Sequence, residues 1–349
     1  MTTTSPGPGS DPTGAGRPVP EVMTAVRVHE FGDLDRAQLD RDVPVPVPGR
    51  GEVQMRVRAA GVNPLDWKVR EGYLRAFVPH ELPLTLGWDL AGRVTEVGPG
   101  VGGLAVGDEV FGRPATLRGG AFAEYAVVPE GELAAAPTGL SPITAAALPL
   151  AATTAVQAFE LAGLQRGQRV LVHAAAGGVG HLAVQVARHL EARVVATALP
   201  QDRDFVRDEL GVVDVVTPSP AAADELRALA PDGYDVVLDL LGGPTYTMSL
   251  DLLRPGGVVV TTVAFPDAED LRTRGVRAVF LDNDADTARL ATVAALARDG
   301  HLRPHIHDVL PLERVREAFS RSQSGTVRGK LVLDIDSTAP SSDPAGGAR

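Results

Sequence analysis

The sequence predicts an α/β protein in which a doubly wound parallel sheet is joined to a second, mostly antiparallel β region. Three observations support this prediction. A buried-type strand, a glycine turn and an amphipathic helix follow one another at residues 169–190. Strands and helical stretches alternate from about residue 141 onwards. Short strands separated by Gly and Pro fill residues 22–137.

The β-rich region is recognised by its side-chain alternation. Residues 53–59 alternate strictly between apolar and polar side chains, which predicts a half-exposed strand. Further short apolar runs at 92–97, 109–112 and 121–128 are separated by turn residues. These runs predict a mostly antiparallel sheet.

The alternating region begins with an alanine-rich helix predicted over residues 142–162. Strands are then predicted at 170–174, 193–198, 212–216, 235–240 and 258–263, with helical stretches between them. Such alternation is typical of a parallel sheet with helices on both faces.

The C-terminal part carries helices at 286–299 and 312–320 and a strand at 330–335. It is too short to form a domain alone, so we expect it to return to the β-rich domain. The predicted division is therefore a disordered tail (1–21), a first part of the β-rich domain (22–140), a nucleotide domain (141–284), a second part of the β-rich domain (285–336) and a second disordered tail (337–349).

Composition narrows the possible functions. The 349 residues contain no cysteine, which excludes disulfides, a thiol nucleophile and cysteine-ligated metal sites. The net charge of -11, without a run of Lys or Arg, argues against a nucleic-acid partner. No apolar run is long enough for a membrane helix, and the N-terminus lacks the apolar core of a signal peptide. We expect a cytoplasmic protein that acts on a small molecule.

The glycine turn carries the main functional signal. Gly177 and Gly178 would let a diphosphate approach the backbone, Val179 lies between them and the helix, and Gly180 would let the helix pack closely on the strand. A helix N-terminus adds partial positive charge. Ala175 replaces the first glycine of the usual GxGxxG pattern, so a tight turn without a ligand is the alternative.

Several motifs in order resemble the zinc-independent quinone oxidoreductase branch of the medium-chain dehydrogenase/reductase superfamily, which includes enoyl reductases. They are AGVNPLDW (60–67), LGWDLAG (86–92), VGDEVFG (106–112), GAFAEY (120–125), ALPL (147–150), the glycine turn, LRPGG (253–257) and RGK (328–330). The resemblance implies a GroES-like β domain and a Rossmann domain with the active site between them. It also implies a homodimer, for which the residues give no independent argument.

The same resemblance implies the absence of catalytic zinc. Zinc-dependent relatives carry a cysteine where Asn63 stands and a histidine where Trp88 stands. His301, His305 and His307 lie close in sequence but lack an acidic cluster, so no metal site is predicted there.

The predicted cofactor is NADPH, with NADH less favoured. An NAD site places a carboxylate at the end of the second strand, where this chain has Thr197 and Ala198. Without that carboxylate, nothing there repels a 2′-phosphate. Arg203 is the only cation nearby in sequence, and Asp202 and Asp204 flank it.

The remaining cofactor contacts come from the resemblance, residue by residue. Asn63 and Thr154 resemble residues that face the nicotinamide, and Lys330 resembles a lysine near the ring and phosphates. Further contacts are expected at the ends of the fourth and fifth strands of the nucleotide domain: Leu241, Gly242, Val263 and Phe265.

The predicted reaction is NADPH-dependent hydride transfer to a quinone or to an activated C=C bond. A nucleotide-binding protein or a redox-neutral biosynthetic enzyme on the same scaffold is the alternative, and a zinc-free alcohol dehydrogenase is the least favoured. No catalytic residue is assigned, because Lys68, Tyr73 and His80 are better explained by surface or packing roles. Side chains expected to shape the substrate pocket are Arg70, Tyr73, Phe77, Arg113 and Phe265.

Overall fold

A computed structural model describes residues 19–336. The strands are β1 (Val22–Val28), β2 (Gln38–Pro44), β3 (Glu52–Val62), β4 (Leu84–Thr85), β5 (Asp89–Val97), β6 (Glu109–Gly112), β7 (Tyr125–Pro129), β8 (Leu133–Ala135), β9 (Arg169–Val172), β10 (Arg193–Thr197), β11 (Asp214–Val216), β12 (Tyr234–Asp239), β13 (Leu253–Thr261), β14 (Arg277–Phe280), β15 (Ile306–Pro311) and β16 (Lys330–Asp334). The helices are α1 (Pro64–Arg70), α2 (Pro142–Ala146), α3 (Pro149–Ala162), α4 (Gly180–His189), α5 (Ala222–Leu229), α6 (Gly243–Leu252), α7 (Ala268–Arg274), α8 (Thr287–Arg298) and α9 (Val315–Gln323).

The predicted fold class is confirmed. The parallel sheet has the strand order β11-β10-β9-β12-β13-β14. All its strand pairs are parallel, but β10 and β11 are added on one side of β9 and β12 to β14 on the other, so the order of strand addition reverses between β9 and β12. In a sheet of this order, ligands bind outside the carboxyl ends of the strands at that switch point. The glycine turn follows β9 and therefore lies there.

The β-rich part contains two further sheets. One has the order β15-β16-β3-β5-β6-β8, with β7 also paired to β3, and the other has the order β2-β1-β4. β16 runs antiparallel to β3, with Leu331 opposite Val62. The C-terminal strand thus completes a sheet begun by the N-terminal part, and it brings Lys330 beside the segment that contains Asn63. The domain boundaries themselves stay predictions.

The prediction of a single helix over residues 142–162 is wrong. The chain forms α2 and α3, which are separated at Ala147 and Leu148, and α3 restarts with Pro149 in its first turn. Proline has no N–H for the helix ladder and its ring clashes with the preceding turn, so the helix breaks before it. α4 ends at His189, and Leu190, just after it, is 38% exposed.

The two predicted disordered tails lie almost entirely outside the described residues. Within them, only residues 19–21 are described, and the carbonyl oxygen of Glu21 accepts a hydrogen bond from Val45 N at 3.1 Å. Across residues 19–336, no helix combines the length and the apolar character needed to cross a membrane.

Candidate functional site

The glycine turn, residues 174–180, connects β9 to α4. Ala174 starts it with a left-handed backbone conformation, at a φ of 50°. The backbone N–H groups of Gly178, Val179 and Gly180 have no acceptor within residues 19–336. Free amides at a helix N-terminus attract an anionic phosphate. The turn therefore fits the diphosphate of a dinucleotide.

Gly180 is the glycine that the protein packing itself requires. A Cβ at this position would lie 2.2 Å from the carbonyl oxygen of Ala174, a distance that real Cβ contacts do not show. A Cβ on Gly177 would lie 3.2 Å from the same oxygen, and one on Gly178 would lie 3.5 Å from Lys330 Cδ. Gly178 thus keeps space open, whereas Gly180 avoids a backbone clash.

Buried hydrogen bonds hold the turn from below. Thr197 Oγ1 accepts from Ala174 N at 3.2 Å and lies 3.0 Å from His173 Nδ1, and His173 Nε2 lies 3.1 Å from Ser249 Oγ. Burial lowers the pKa of His173 to about 4, so the ring is neutral at pH 7. The hydroxyl of Thr197, at the position where an NAD site carries its carboxylate, is thus engaged in shaping the turn.

A second buried imidazole ties the turn to the C-terminal segment. His181 Nδ1 lies 2.8 Å from the carbonyl oxygen of Gly177, and His181 Nε2 accepts from His305 N at 3.1 Å. Burial lowers the pKa of His181 to about 4. Because Nε2 is an acceptor in the neutral ring, Nδ1 carries the proton and donates to Gly177.

Asn63, Asp89 and Lys330 form a buried group that we call the lysine cluster. Lys330 Nζ lies 3.2 Å from Asp89 Oδ2 and donates to Asn63 Oδ1, while Asn63 Nδ2 donates to Asp89 Oδ2 at 2.8 Å. The other Asp89 oxygen accepts from Leu150 N at 2.6 Å. All three side chains are at most 2% exposed, so the charges are compensated inside the protein.

The lysine cluster lies next to the glycine turn. Gly329 N donates to the carbonyl oxygen of Ala176 at 2.8 Å. This bond places the start of β16 against the turn, in line with the closeness of Lys330 Cδ to Gly178. Asn63 and Lys330, both predicted from sequence, are therefore hydrogen-bonded to each other, and they lie beside Gly178, a third predicted residue.

Asp66 is a buried carboxyl group beside Asn63 that was not predicted from the sequence. Asp66 Oδ2 accepts from Asn63 N at 2.6 Å, whereas the buried Oδ1 has no partner among residues 19–336. Burial raises the pKa of Asp66 well above its ordinary value, against the lowering effect of the Asn63 amide. The sequence contains a signal that could have identified Asp66, because an acidic residue three positions after Asn63 is an arrangement that caps a helix N-terminus.

Thr154 is placed by α3 and by the loop that follows β14. Its hydroxyl donates to the carbonyl oxygen of Leu150 at 2.7 Å and accepts from Asn283 Nδ2 at 2.5 Å. Thr154 is 3% exposed. Asn283, which the sequence reasoning did not select, therefore fixes the orientation of the predicted contact.

The predicted contacts after β12 and β13 are positioned by a buried carboxylate. Asp239 accepts from Leu241 N at 3.1 Å and from Gly242 N at 3.0 Å, and Thr261 Oγ1 donates to its other oxygen at 3.0 Å. Val263 N in turn lies 3.3 Å from Thr261 Oγ1. These bonds hold both loops at the carboxyl ends of the parallel strands.

An exposed aromatic wall spans the two parts of the molecule. Phe265, 73% exposed, stacks on Phe280 with ring centroids 4.7 Å apart. Phe77, from the segment between α1 and β4, lies 6.3 Å from Phe265. We call these three side chains the phenylalanine wall, which joins the nucleotide domain to the β-rich part.

A second cation packs against the loop expected to bind the 2′-phosphate. Arg203 is the only cation near this loop in sequence, but in the structure Arg328 also lies beside it. Arg328 Nη2 is 2.8 Å from Asp202 Oδ1 and donates to the Gln201 carbonyl oxygen at 3.1 Å. Its guanidinium also lies 5.1 Å from the ring of Phe205. The earlier expectation failed because 125 positions separate the two arginines.

The acidic residues that flank Arg203 are neutralised by other arginines. Asp202 pairs with Arg328, and Asp204 pairs with Arg207 at 2.8 Å. Arg203 itself is exposed and has no ion pair within residues 19–336. Its guanidinium is therefore available to a ligand.

The expected substrate-pocket residues divide into two groups. Tyr73 and Phe77 are exposed, whereas Arg70 and Arg113 are 1% and 3% exposed. Arg70 pairs with Glu71, and Arg113 donates to Thr116 Oγ1 at 3.0 Å, with its Nε lacking a described partner. Both arginines expected to shape the substrate pocket are thus buried, with their guanidinium groups packed inside the β-rich part.

The three candidate acids that were not assigned also have local partners. Lys68 Nζ lies 5.7 Å from the ring of Trp67, and burial lowers the pKa of Lys68. His80 Nε2 lies 2.9 Å from the Thr116 carbonyl oxygen, and Tyr73 packs edge-on against Trp67 at 6.2 Å.

The positions of the zinc ligands in zinc-dependent relatives hold other groups. Asn63 belongs to the lysine cluster, and Trp88 is fully buried with its Nε1 donating to the carbonyl oxygens of Ala115 and Thr116 at 3.2 and 3.1 Å. In residues 19–336, His, Cys, Asp and Glu side chains form no group of three or more that could hold a metal ion.

Comparison with known proteins identifies the family. Residues 49–138 match the alcohol dehydrogenase GroES-like domain, and residues 210–333 match the zinc-binding dehydrogenase family. The chain is 31% identical over 331 residues to the chloroplast envelope quinone oxidoreductase homolog of Arabidopsis thaliana, covering 90% of this chain and 99% of the relative.

Two further comparisons agree. The 2-methylene-furan-3-one reductase of Solanum lycopersicum is 33% identical over 325 residues, covering 90% of this chain and 80% of that protein. The structure of the quinone oxidoreductase from Coxiella burnetii superposes with a TM-score of 0.82 at 30% identity, covering 90% of this chain and 99% of that one.

Dehydrogenases of this family use NAD(P)H and act on small molecules. The strand order of the parallel sheet, the glycine turn and the matches along both parts of the chain agree with one another. The protein belongs to the medium-chain dehydrogenase/reductase superfamily.

Proposed function

We propose that this protein is an NADPH-dependent, zinc-independent oxidoreductase that reduces a quinone or an activated C=C bond by hydride transfer. The observation that carries the proposal is the set of free amides at Gly178, Val179 and Gly180 beside the buried lysine cluster. The names of the relatives support it, since two are quinone oxidoreductases or their homologs and one reduces a methylene ketone.

The residues present fit NADPH, which would supply the hydride. The free amides of the glycine turn would hold its diphosphate. Arg203 and Arg328 would meet the 2′-phosphate, because a guanidinium binds phosphate through charge-assisted hydrogen bonds. This arrangement favours NADPH over NADH. The other proposed contacts are Asn63, Thr154, Thr197, Leu241, Gly242, Val263, Phe265 and Lys330.

The chain's own groups supply the stabilisation that a metal would otherwise give. Reduction of a quinone or an enone places negative charge on a carbonyl oxygen. The ammonium of Lys330, bonded to Asn63 and paired with Asp89, has one further N–H donor that would meet this charge, and Asp66 holds a proton more readily than an ordinary aspartate. Asn63 and Trp88, engaged in buried hydrogen bonds, take the places of two metal ligands.

The phenylalanine wall supports an apolar, planar substrate. Phe77 and Phe265 are both more than 70% exposed although they lie next to each other, and a contiguous exposed apolar patch is a feature of ligand-binding grooves. A flat conjugated ring could stack between the two parts of the molecule.

The cytoplasm and a homodimer stay our predictions for compartment and assembly.

The test is NADPH oxidation by the purified full chain with a panel of quinones and enones, followed by absorbance. We expect turnover with at least one member of the panel and slower turnover with NADH. The alternative function, binding or redox-neutral chemistry, predicts quenching of protein fluorescence by NADPH without oxidation. Absence of both signals would remove both functions.

A further inference from the structure

A second pocket lies on the flank of the parallel sheet. Its walls are the second half of α4, the single π-helical turn Phe205–Glu209 and the loop of residues 300–305. The cavity volume is about 550 Å³. That size is within the range of about 300–1,000 Å³ that small-molecule sites occupy. The free amides of the glycine turn, at the opposite end of α4, are not among its lining groups.

The pocket is rich in cationic and imidazole groups although the chain is acidic overall. Arg188, His189, His301, Arg303 and His305 line it, and Glu209 is the carboxylate among its lining residues. The net charge of the chain is -11. A local excess of positive groups on an acidic protein concentrates anions at that place.

The two arginines of the pocket are not neutralised by described acidic residues. Arg188 Nη1 donates to the Leu210 carbonyl oxygen at 2.6 Å, and neither Arg188 nor Arg303 forms an ion pair within residues 19–336. Arginines just outside the pocket differ. Arg207 pairs with Asp204 and Asp208, and Arg298 pairs with Asp299.

The backbone that carries Arg303 is firmly placed. Gln185 accepts from Arg303 N at 2.8 Å and donates to the Arg303 carbonyl oxygen at 3.0 Å. This reciprocal pair joins the loop to α4. The guanidinium therefore extends from a fixed backbone toward the pocket, with its donors unused by the described protein.

The imidazoles add donors on the same walls. The rings of His189 and His301 face each other with centroids 4.4 Å apart, at the end of the pocket formed by α4. His305 packs against Phe205 at 4.8 Å. Several N–H donors and two guanidinium groups around one cavity match an acceptor with many oxygens.

We propose that this pocket binds a small polyanion carrying phosphate groups, at a site that adjoins the proposed 2′-phosphate loop through Phe205 but is lined by none of the residues proposed to hold the cofactor. Phosphate is favoured over a single carboxylate because it presents three oxygens and up to two charges to converging donors. A free pyrophosphate and the phosphate groups of a metabolite share this chemistry.

The test is calorimetric titration of the full chain with inorganic pyrophosphate at constant ionic strength, in the presence of saturating NADPH. NADPH fills the glycine turn, which would otherwise attract the same ion. We expect saturable binding with one site. Arg303→Gln should weaken it by about tenfold, which is the effect of losing one charge-assisted contact at an exposed site.

Arg298→Gln is the matched control, since Arg298 is a nearby surface arginine with its own acidic partner and lies outside the pocket. It should leave the affinity unchanged, and both variants should unfold at the temperature of the original protein. Absence of saturable binding in the presence of NADPH, equal affinity in Arg303→Gln, or an equal loss in both variants would overturn the proposal. If the chain does not bind NADPH, the titration is repeated without it, and a loss of affinity in Arg303→Gln but not in Arg298→Gln still assigns the binding to this pocket. This site and the proposed reductase function are therefore tested separately.

Discussion

The glycine turn consists of residues 174–180, whereas the lysine cluster joins side chains as far apart as Asn63 and Lys330, 267 positions away. The two lie side by side. The turn works through backbone amides and the absence of side chains, and the lysine cluster works through buried charges that neutralise one another. Local shape can be specified by a short segment, but a buried charge needs partners from other elements.

The largest effect should come from breaking the lysine cluster. Lys330→Met leaves the carboxylate of Asp89 buried without its ammonium, which costs about 3–5 kcal/mol of the free energy of unfolding. Urea denaturation measures this loss. A cost near zero would show that the carboxylate is compensated by Asn63 and the Leu150 amide alone.

A second variant separates lost charge from lost packing. In Lys330→Met combined with Asp89→Asn the lysine cluster holds no charge, and the two amides at 63 and 89 can hydrogen bond to each other. We expect the double variant to recover about half of the loss, because replacing both partners of a buried pair is much cheaper than removing one. No recovery would assign the loss to packing.

Acid should weaken the glycine turn through its buried imidazoles. The pKa of His173 is about 4 in the folded chain and about 6.5 when unfolded. The unfolded chain therefore binds more protons between these values, and the free energy of unfolding falls as pH drops from 6.5 to 4. His173 alone accounts for about 3 kcal/mol of this fall.

His173→Asn tests this assignment. Its stability should depend less on pH between 6.5 and 4, by about the same 3 kcal/mol, while His181 still contributes its own share. Denaturant unfolding at several pH values gives the comparison. An unchanged pH dependence would mean that the pKa of His173 does not differ between the folded and the unfolded chain.

Filling the glycine turn should reduce cofactor affinity. Gly180→Ala places a Cβ 2.2 Å from the Ala174 oxygen, so the turn must shift and its amides lose alignment. We expect NADPH binding, followed by fluorescence quenching, to weaken about 100-fold, or about 2.7 kcal/mol. Gly131→Ala is the control, since a Cβ there meets nothing within 4 Å.

The smallest effect should appear at the loop expected to bind the 2′-phosphate. Arg328→Gln removes one cation and leaves Asp202 unpaired, so a 2′-phosphate would meet a free carboxylate. We expect NADPH affinity to fall about tenfold and NADH affinity to change little. Arg207→Gln is the control, because Arg207 lies in the helical turn that follows this loop and pairs with Asp204 and Asp208. Equal losses for the two cofactors would contradict a role in phosphate recognition.

The parts predicted well from sequence are those encoded locally. The strand before the glycine turn, the helix after it and the need for a glycine at 180 were all readable, because a few adjacent residues determine that geometry. The break between α2 and α3 was missed, although Pro149 is a local signal for it.

The parts that sequence reasoning missed involve side chains from distant elements. Asn63 and Lys330 were selected one at a time, and neither spacing nor composition indicated that they share Asp89. Arg328 was likewise hidden, because only the course of the chain before β16 brings it to Asp202.

The sequence by itself determined the fold class, the place of the dinucleotide turn and the absence of cysteine ligands, since these depend on periodicity, local turn chemistry and composition. The tertiary structure decided which charges are buried together, which acidic residues are neutralised and which arginines stay free for a ligand. Those outcomes depend on distances of a few ångströms between elements that are far apart along the chain, and a pattern along the chain does not contain them.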